Sequence, residues 1–121
     1  MNVLDTGIII QMLKEKRHKQ GFISPITLIE TLRGIDSRKR TKIKELLEES
    51  FYLLNIDNEI IEKYCEVYSK LKKEGNLLPD ADLLIGATAM AKSIPLETND
   101  EHFQRLERLG LKTNIISVQT P

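Results

Sequence analysis

Pro79-Asp80-Ala81-Asp82-Leu83-Leu84-Ile85-Gly86-Ala87-Thr88-Ala89-Met90-Ala91 opens with two acids and then turns apolar and small. Asp80 is expected to cap a helix, because its carboxylate can accept the free amide protons of a first turn. Asp82 then falls inside that turn, where the helix dipole favours negative charge. The residues after it leave almost no polar face, and a helix apolar nearly all round is a buried one. Gly86, Ala87 and Ala89 let such a helix lie close against a sheet. Capping needs one acid only. The second is either a spare surface acid or part of a site at the mouth of the buried helix.

Working outward, short apolar runs alternate with helical patterns. Met1 to Leu4 reads as a buried strand that ends at Asp5-Thr6-Gly7, and Ile8, Ile9, Met12 and Leu13 follow at helical spacing. Gly21-Phe22-Ile23 is a second strand. Ser24-Pro25 pairs an N-cap with a proline at the first helical position, opening a helix that carries Ile26, Ile29 and Leu32 inward and stops at Gly34. Ser37 to Ser50 is a helix with Ile43, Leu46 and Leu47 as its stripe, and Phe51 to Leu54 is a third strand. Asn58 to Glu74 is the longest helical pattern, built on Ile60, Ile61, Tyr64, Val67, Tyr68 and Leu71. Beyond the buried helix come a strand over Ile94 to Glu97, a short helix over Glu101 to Leu109 and a strand over Thr113 to Val118. Such alternation implies an α/β fold with a parallel sheet and helices on both faces.

With 121 residues, the chain is expected to form one domain, 1–121. Its 18 basic and 18 acidic residues cancel, so any attraction to nucleic acid must come from local asymmetry. The single cysteine, Cys65, excludes an internal disulfide, fits a reducing cytoplasmic setting and reads as a small core residue. Two histidines and one cysteine give no zinc spacing. No leader and no membrane-length apolar run is read.

In a parallel sheet the ligand crevice lies beyond the carboxyl ends of the strands, where the strand order reverses. Asp5 closes the first strand and Asp100 follows the fourth. If those strands are neighbours across the reversal, both acids face one crevice. Asp82 opens the helix that feeds the fourth strand and needs a short reach to join them; Glu30 can approach from the helix after the second. Two unit charges ~4 Å apart repel by about 4 kcal/mol at an effective dielectric of ~20. A fold tolerates that when one acid holds a proton or a cation fills the gap. Ligands that are all oxygen suit Mg²⁺ or Mn²⁺, and the matching chemistry is attack of activated water on a phosphodiester. Each acid also has a plain alternative: Asp5 as a turn residue, Glu30 as a solvated glutamate, Asp100 as a helix cap. His102 reads as a surface residue rather than a base. Arg38, Lys39 and Arg40, with Lys42 and Lys44, form either a solvated face or a surface that steers an RNA backbone.

Asp5 after the first strand, Glu30 after Ser24-Pro25-Ile26-Thr27 and before Leu32 and Gly34, Asp82 opening Asp-Leu-Leu-Ile-Gly-Ala-Thr-Ala, and Thr98-Asn99-Asp100-Glu101-His102-Phe103 together resemble the PIN-domain nucleases. Within that family they are most similar to the VapC toxins of toxin–antitoxin pairs. The resemblance runs from Asn2 to about Val118. It implies a three-layer α/β/α sandwich with a five-stranded parallel sheet and a Mg²⁺- or Mn²⁺-dependent endoribonuclease. Carried over by position, Asp5, Glu30, Asp82 and Asp100 are the acidic catalytic set, with Asp5, Asp82 and Asp100 as metal ligands. Thr6 and Thr98 would support them through their hydroxyls, and Asp80 is a further supporting acid. The resemblance also implies an RNA substrate, a homodimer and a VapB-like antitoxin over the crevice. Two positions depart from the pattern: Gly86 stands where alanine is usual, which should tighten packing, and Glu97-Thr98 follows a weakly apolar fourth strand.

Two other functions fit parts of the pattern. A phosphoacceptor receiver would use Asp57 after the third strand. Against it, no acidic pair ends the first strand and no Lys-Pro follows the fifth. A non-catalytic PIN module binding RNA or a partner would gain nothing from four mutually repelling acids.

Overall fold

The computed structural model describes residues 1–116. Five strands, β1 (Val3–Leu4), β2 (Phe22–Ile23), β3 (Tyr52–Leu53), β4 (Leu96–Thr98) and β5 (Thr113–Ile115), form one parallel sheet in the order β3-β2-β1-β4-β5. The helices are α1 (Thr6–Glu15), α2 (Pro25–Leu32), α3 (Ser37–Ser50), α4 (Asn58–Lys73) and α5 (Asp80–Lys92), followed by a 3-10 segment over Glu101–Leu109. The expected five strands and three layers are present. The first four strands are shorter than the apolar runs that announced them; β1, for example, keeps only Val3–Leu4 of Met1 to Leu4, and Met1 is exposed. Ser117 and Val118, read as the end of the fifth strand, lie outside the described residues.

Side chains alternate across each strand, so neighbouring residues feed opposite cores. Val3 and Leu96 point into a cluster with Val67, Leu71, Leu83, Ile85, Phe103 and Leu106, supplied by α4, α5 and the 3-10 segment. Leu4 and Ile23 point the other way, to Ile8, Ile9, Met12, Leu28, Leu32 and Leu47 of α1, α2 and α3. Gly86 brings α5 against the 3-10 segment: a Cβ there would meet Leu106 Cδ1 at 2.6 Å. The expected tight packing is thus met, on the 3-10 segment rather than on the sheet.

Several expectations about the core are corrected. Ile29 is 60% exposed, because Thr27, Leu28, Thr31 and Leu32 form the inward face of α2. Leu46 is 48% and Ile61 50% exposed, each next to the residue that does pack, Leu47 and Ile60. Cys65 is exposed, one step off the Ile60–Val67–Leu71 face of α4. α2 ends at Leu32 with Arg33 as its cap, one residue before Gly34. Asp80 does not cap α5. Pro79 holds the cap position without a side-chain hydrogen bond, and Asp80 is the first helical residue.

Candidate active site

β1 and β4 are adjacent at the centre of the sheet, with Leu4 opposite Glu97, and β2 and β5 flank them on either side. The connections after β1 and β4 therefore diverge, and the acids that follow both strands stand at the resulting crevice. Asp5 is the N-cap of α1 and only 6% exposed. Its amide donates to the Glu97 carbonyl of β4 (2.9 Å), which ties the two strand ends together. Its carboxylate accepts from Thr98 Oγ1 (2.7 Å) and from the Thr6 amide (2.8 Å). Asp100 caps the 3-10 segment through the His102 amide (2.9 Å), and its own amide donates to Thr98 Oγ1 (3.0 Å). One threonine thus joins two of the acids.

Glu30 sits in the second turn of α2 and reaches the same place. Thr6 Oγ1 donates to Glu30 Oε1 (2.7 Å) and lies 3.1 Å from Thr27 Oγ1. Arg33 Nη2 stands 3.7 Å from Glu30 Oε2. Thr27 and Arg33 were not singled out from the sequence. The i,i+3 step from Glu30 to Arg33 was a usable signal; the Thr6–Thr27 contact had none.

Asp82 lies half-buried in the first turn of α5. Its carboxyl is pushed up to about 6, first by burial, then by the negative charges of Asp5, Asp100 and Glu30; His102 pulls the other way. Burial also raises the Asp5 carboxyl. The hydrogen bonds from Thr98 and Thr6 oppose this, while Asp100 and Glu30 add to it. Asp5 and Asp82 therefore each feel the charge of acids from other parts of the chain.

The remaining candidates lie elsewhere or are otherwise engaged. Asp80 is two residues from Asp82, so the two cannot share a helix face. Its carboxylate accepts from Tyr64 Oη of α4 at 2.7 Å. Arg38 binds Asp36, the cap of its own helix (3.2 Å), and Arg40 donates to the carbonyls of Leu32, the last residue of α2, and of Ile35 beyond it (3.3 and 3.2 Å). Both arginines thus finish helix ends. His102 is exposed, with Nδ1 3.0 Å from Asp100 Oδ1. Asp57, the receiver candidate, follows edge strand β3, caps α4 and pairs with Lys92 at 2.5 Å.

Among the described residues, no three acidic, histidine or cysteine side chains stand close enough to hold a metal ion between them as placed. The donor set nevertheless fits a hard cation by its chemistry. It is all carboxylate oxygen, and two of its members, Asp5 and Asp82, are held above their ordinary values by burial and by the neighbouring acids. The Thr98–Asp5 contact is testable separately. Thr98→Val leaves a buried carboxylate short of one donor and should cost about 1–3 kcal/mol, read as a lower urea midpoint at pH 7.5. An unchanged midpoint would show that the hydroxyl contributes nothing there.

The comparisons with known proteins bear on the fold and the family. The family model described as PIN domain matches residues 3–109. Ribonuclease VapC1 of Methanocaldococcus jannaschii is 40% identical over 114 residues, covering 91% of this chain and 84% of that protein. Ribonuclease VapC of Rickettsia bellii is 32% identical over 126 residues, covering 92% and 94%. Among solved structures, VapBC-1 from nontypeable Haemophilus influenzae superposes with a TM-score of 0.81 at 25% identity, covering 94% of this chain and 96% of the matched one. With its 3-2-1-4-5 parallel sheet, its acids at the central crevice and a match over residues 3–109, the chain belongs to the PIN domain family.

Proposed function

We propose that this protein is a metal-dependent endoribonuclease, the toxin of a VapBC-type toxin–antitoxin pair. The observation that carries the proposal is the linkage of three acids around the ends of β1 and β4: Thr98 joins Asp5 to Asp100 and Thr6 joins Asp5 to Glu30, with Asp82 near enough to feel their charge. The names of the relatives, Ribonuclease VapC1 and Ribonuclease VapC, support the same substrate class.

Asp5, Asp82 and Asp100 would hold the ion, Mg²⁺ or Mn²⁺. When bound, it supplies Lewis acidity toward a phosphoryl oxygen and toward water. The chain does the positioning. Thr98 and the Thr6 amide pin both oxygens of Asp5, and the Thr6 hydroxyl pins Oε1 of Glu30. Glu30 would accept the proton of the attacking water as the P–O bond to the leaving nucleotide breaks, and the leaving oxygen would take a proton from solvent. Lys39, at the basic start of α3, is our candidate for a backbone contact. Arg38 and Arg40 would first have to leave Asp36 and the carbonyls of Leu32 and Ile35.

A VapB-like antitoxin and a second copy of this chain are the partners we propose. Ile29, Leu46 and Ile61, exposed although apolar, offer surface for them. No helix of the described residues is long and apolar enough to cross a membrane, and we place the protein in the cytoplasm. The test is direct. Purified protein should cleave RNA with Mn²⁺ and stop with EDTA, and expression toxicity should disappear with Asp5→Ala. RNA left intact by a folded, Mn²⁺-loaded preparation would overturn the proposal.

A further inference from the structure

Gly7 lies in the first turn of α1, two residues after Asp5. A Cβ built on it would meet Asn99 Oδ1 at 2.5 Å, and Asn99 Cγ and Nδ2 at 3.1 Å each. The space a side chain at position 7 would fill is therefore taken by the carboxamide of Asn99, which arrives from the end of β4. Asn99 is half-buried, between Thr98, which holds Asp5, and Asp100. The local hydrogen bonds pass it by. Thr98 Oγ1 donates to Asp5, the Asp100 amide to Thr98 and the His102 amide to Asp100. No hydrogen bond to the Asn99 carboxamide is formed among the described residues.

This arrangement sets an uncharged donor next in the chain to Asp100 and against the first turn of the helix that Asp5 caps. A phosphodiester is an anion, and the carboxylates of the crevice repel it. The hydroxyls of Thr6 and Thr98 are already committed to Glu30 and Asp5. A carboxamide carries two N–H donors and no titrating charge, so it can bind a phosphate oxygen without neutralising the acids. We propose that Asn99 contacts substrate directly: its Nδ2 donates to a non-bridging oxygen of the phosphodiester being cleaved, and position 7 is glycine so that the carboxamide has its seat. This inference rests on the ribonuclease reading above.

The experiment measures RNA cleavage with Mn²⁺ for wild type, Asn99→Ala, Asn99→Asp, Gly7→Ala and the Gly7→Ala/Asn99→Ala pair. The Mn²⁺-induced shift in melting temperature is recorded for each. Loss of one hydrogen bond to a charged oxygen should slow Asn99→Ala about ten- to hundredfold, with the Mn²⁺ shift of wild type. Asn99→Asp should be at least as slow. Gly7→Ala should be slow alone and add nothing in the pair, since both changes remove the same contact. Asn99→Ala within threefold of an active wild type, or losses that multiply in the pair, would overturn the inference and leave the nuclease assignment standing. A wild type that cleaves no RNA would bring down both.

Discussion

Asp82→Asn is expected to lower RNA cleavage by about a thousandfold or more and, in EDTA, to make the protein more stable than wild type. The two effects share one cause. Asp82 is half-buried at the mouth of α5 among Asp5, Asp100 and Glu30, and its carboxyl is held at about 6 against an ordinary 3.8. Between those values the native state keeps a proton that the unfolded state has released. Stability therefore falls as pH rises through this window, and above it the full penalty applies. A shift of that size would correspond to about 3 kcal/mol for a fully buried group. Solvent screening at this half-exposed position reduces it to about 1 kcal/mol, or about 4 °C in Tm for a chain of this length. Asparagine keeps the shape and removes the charge. Urea midpoints measured in EDTA should favour the variant at pH 7.5 and converge with wild type near pH 4. Equal midpoints at pH 7.5 would mean that Asp82 carries no electrostatic penalty, and full cleavage by a clean preparation would remove it from the active site.

The course of the backbone was legible because its signals are local. Strand ends were marked by Asp5 and by Thr98-Asn99-Asp100, and the Ser24-Pro25 start of α2 appears as read, with Ser24 Oγ accepting from the Ile26 amide at 3.1 Å. Placing Asp5 and Asp100 at one crevice needed only β1 and β4 to be neighbours, and they are. What failed was the distinction between core and second surface. Ile29, Leu46 and Ile61 sit at helical spacing beside residues that are buried, and periodicity does not say which of two adjacent apolar side chains faces inward. Asp80 failed by a single residue of register. With Pro79 as the cap, Asp80 turns to Tyr64 and only Asp82 remains at the crevice. The seating of Asn99 on Gly7 had no signal in the sequence at all. It depends on how closely the β4 turn approaches α1, and neither residue type announces that.

Adding Mn²⁺ is expected to reverse the stability order of wild type and Asp82→Asn. A ligand that binds only the folded state stabilises it by about 2.7 kcal/mol at a hundred times its Kd, or roughly 10 °C in Tm for a chain of this length. Wild type should gain that amount, because the cation replaces mutual repulsion with attraction at Asp5, Asp82 and Asp100. The variant has lost one ligand and the largest part of the repulsion to be relieved, so its gain should be small. The roughly 4 °C lead of the variant in EDTA then becomes a deficit in saturating Mn²⁺. A plain surface acid at position 82 would give parallel shifts. So would Mn²⁺ bound elsewhere, for example at the exposed Glu66 and Glu59 of α4. The crossing of the two Tm curves, more than the size of either shift, therefore ties the ion to Asp82. If Asp5, Asp82 and Asp100 hold the ion together, Asp5→Asn and Asp100→Asn should each lose most of the Mn²⁺ shift as well. Loss confined to Asp82→Asn would instead describe an ion held by one acid on the rim, and the three-carboxylate site would have to be abandoned.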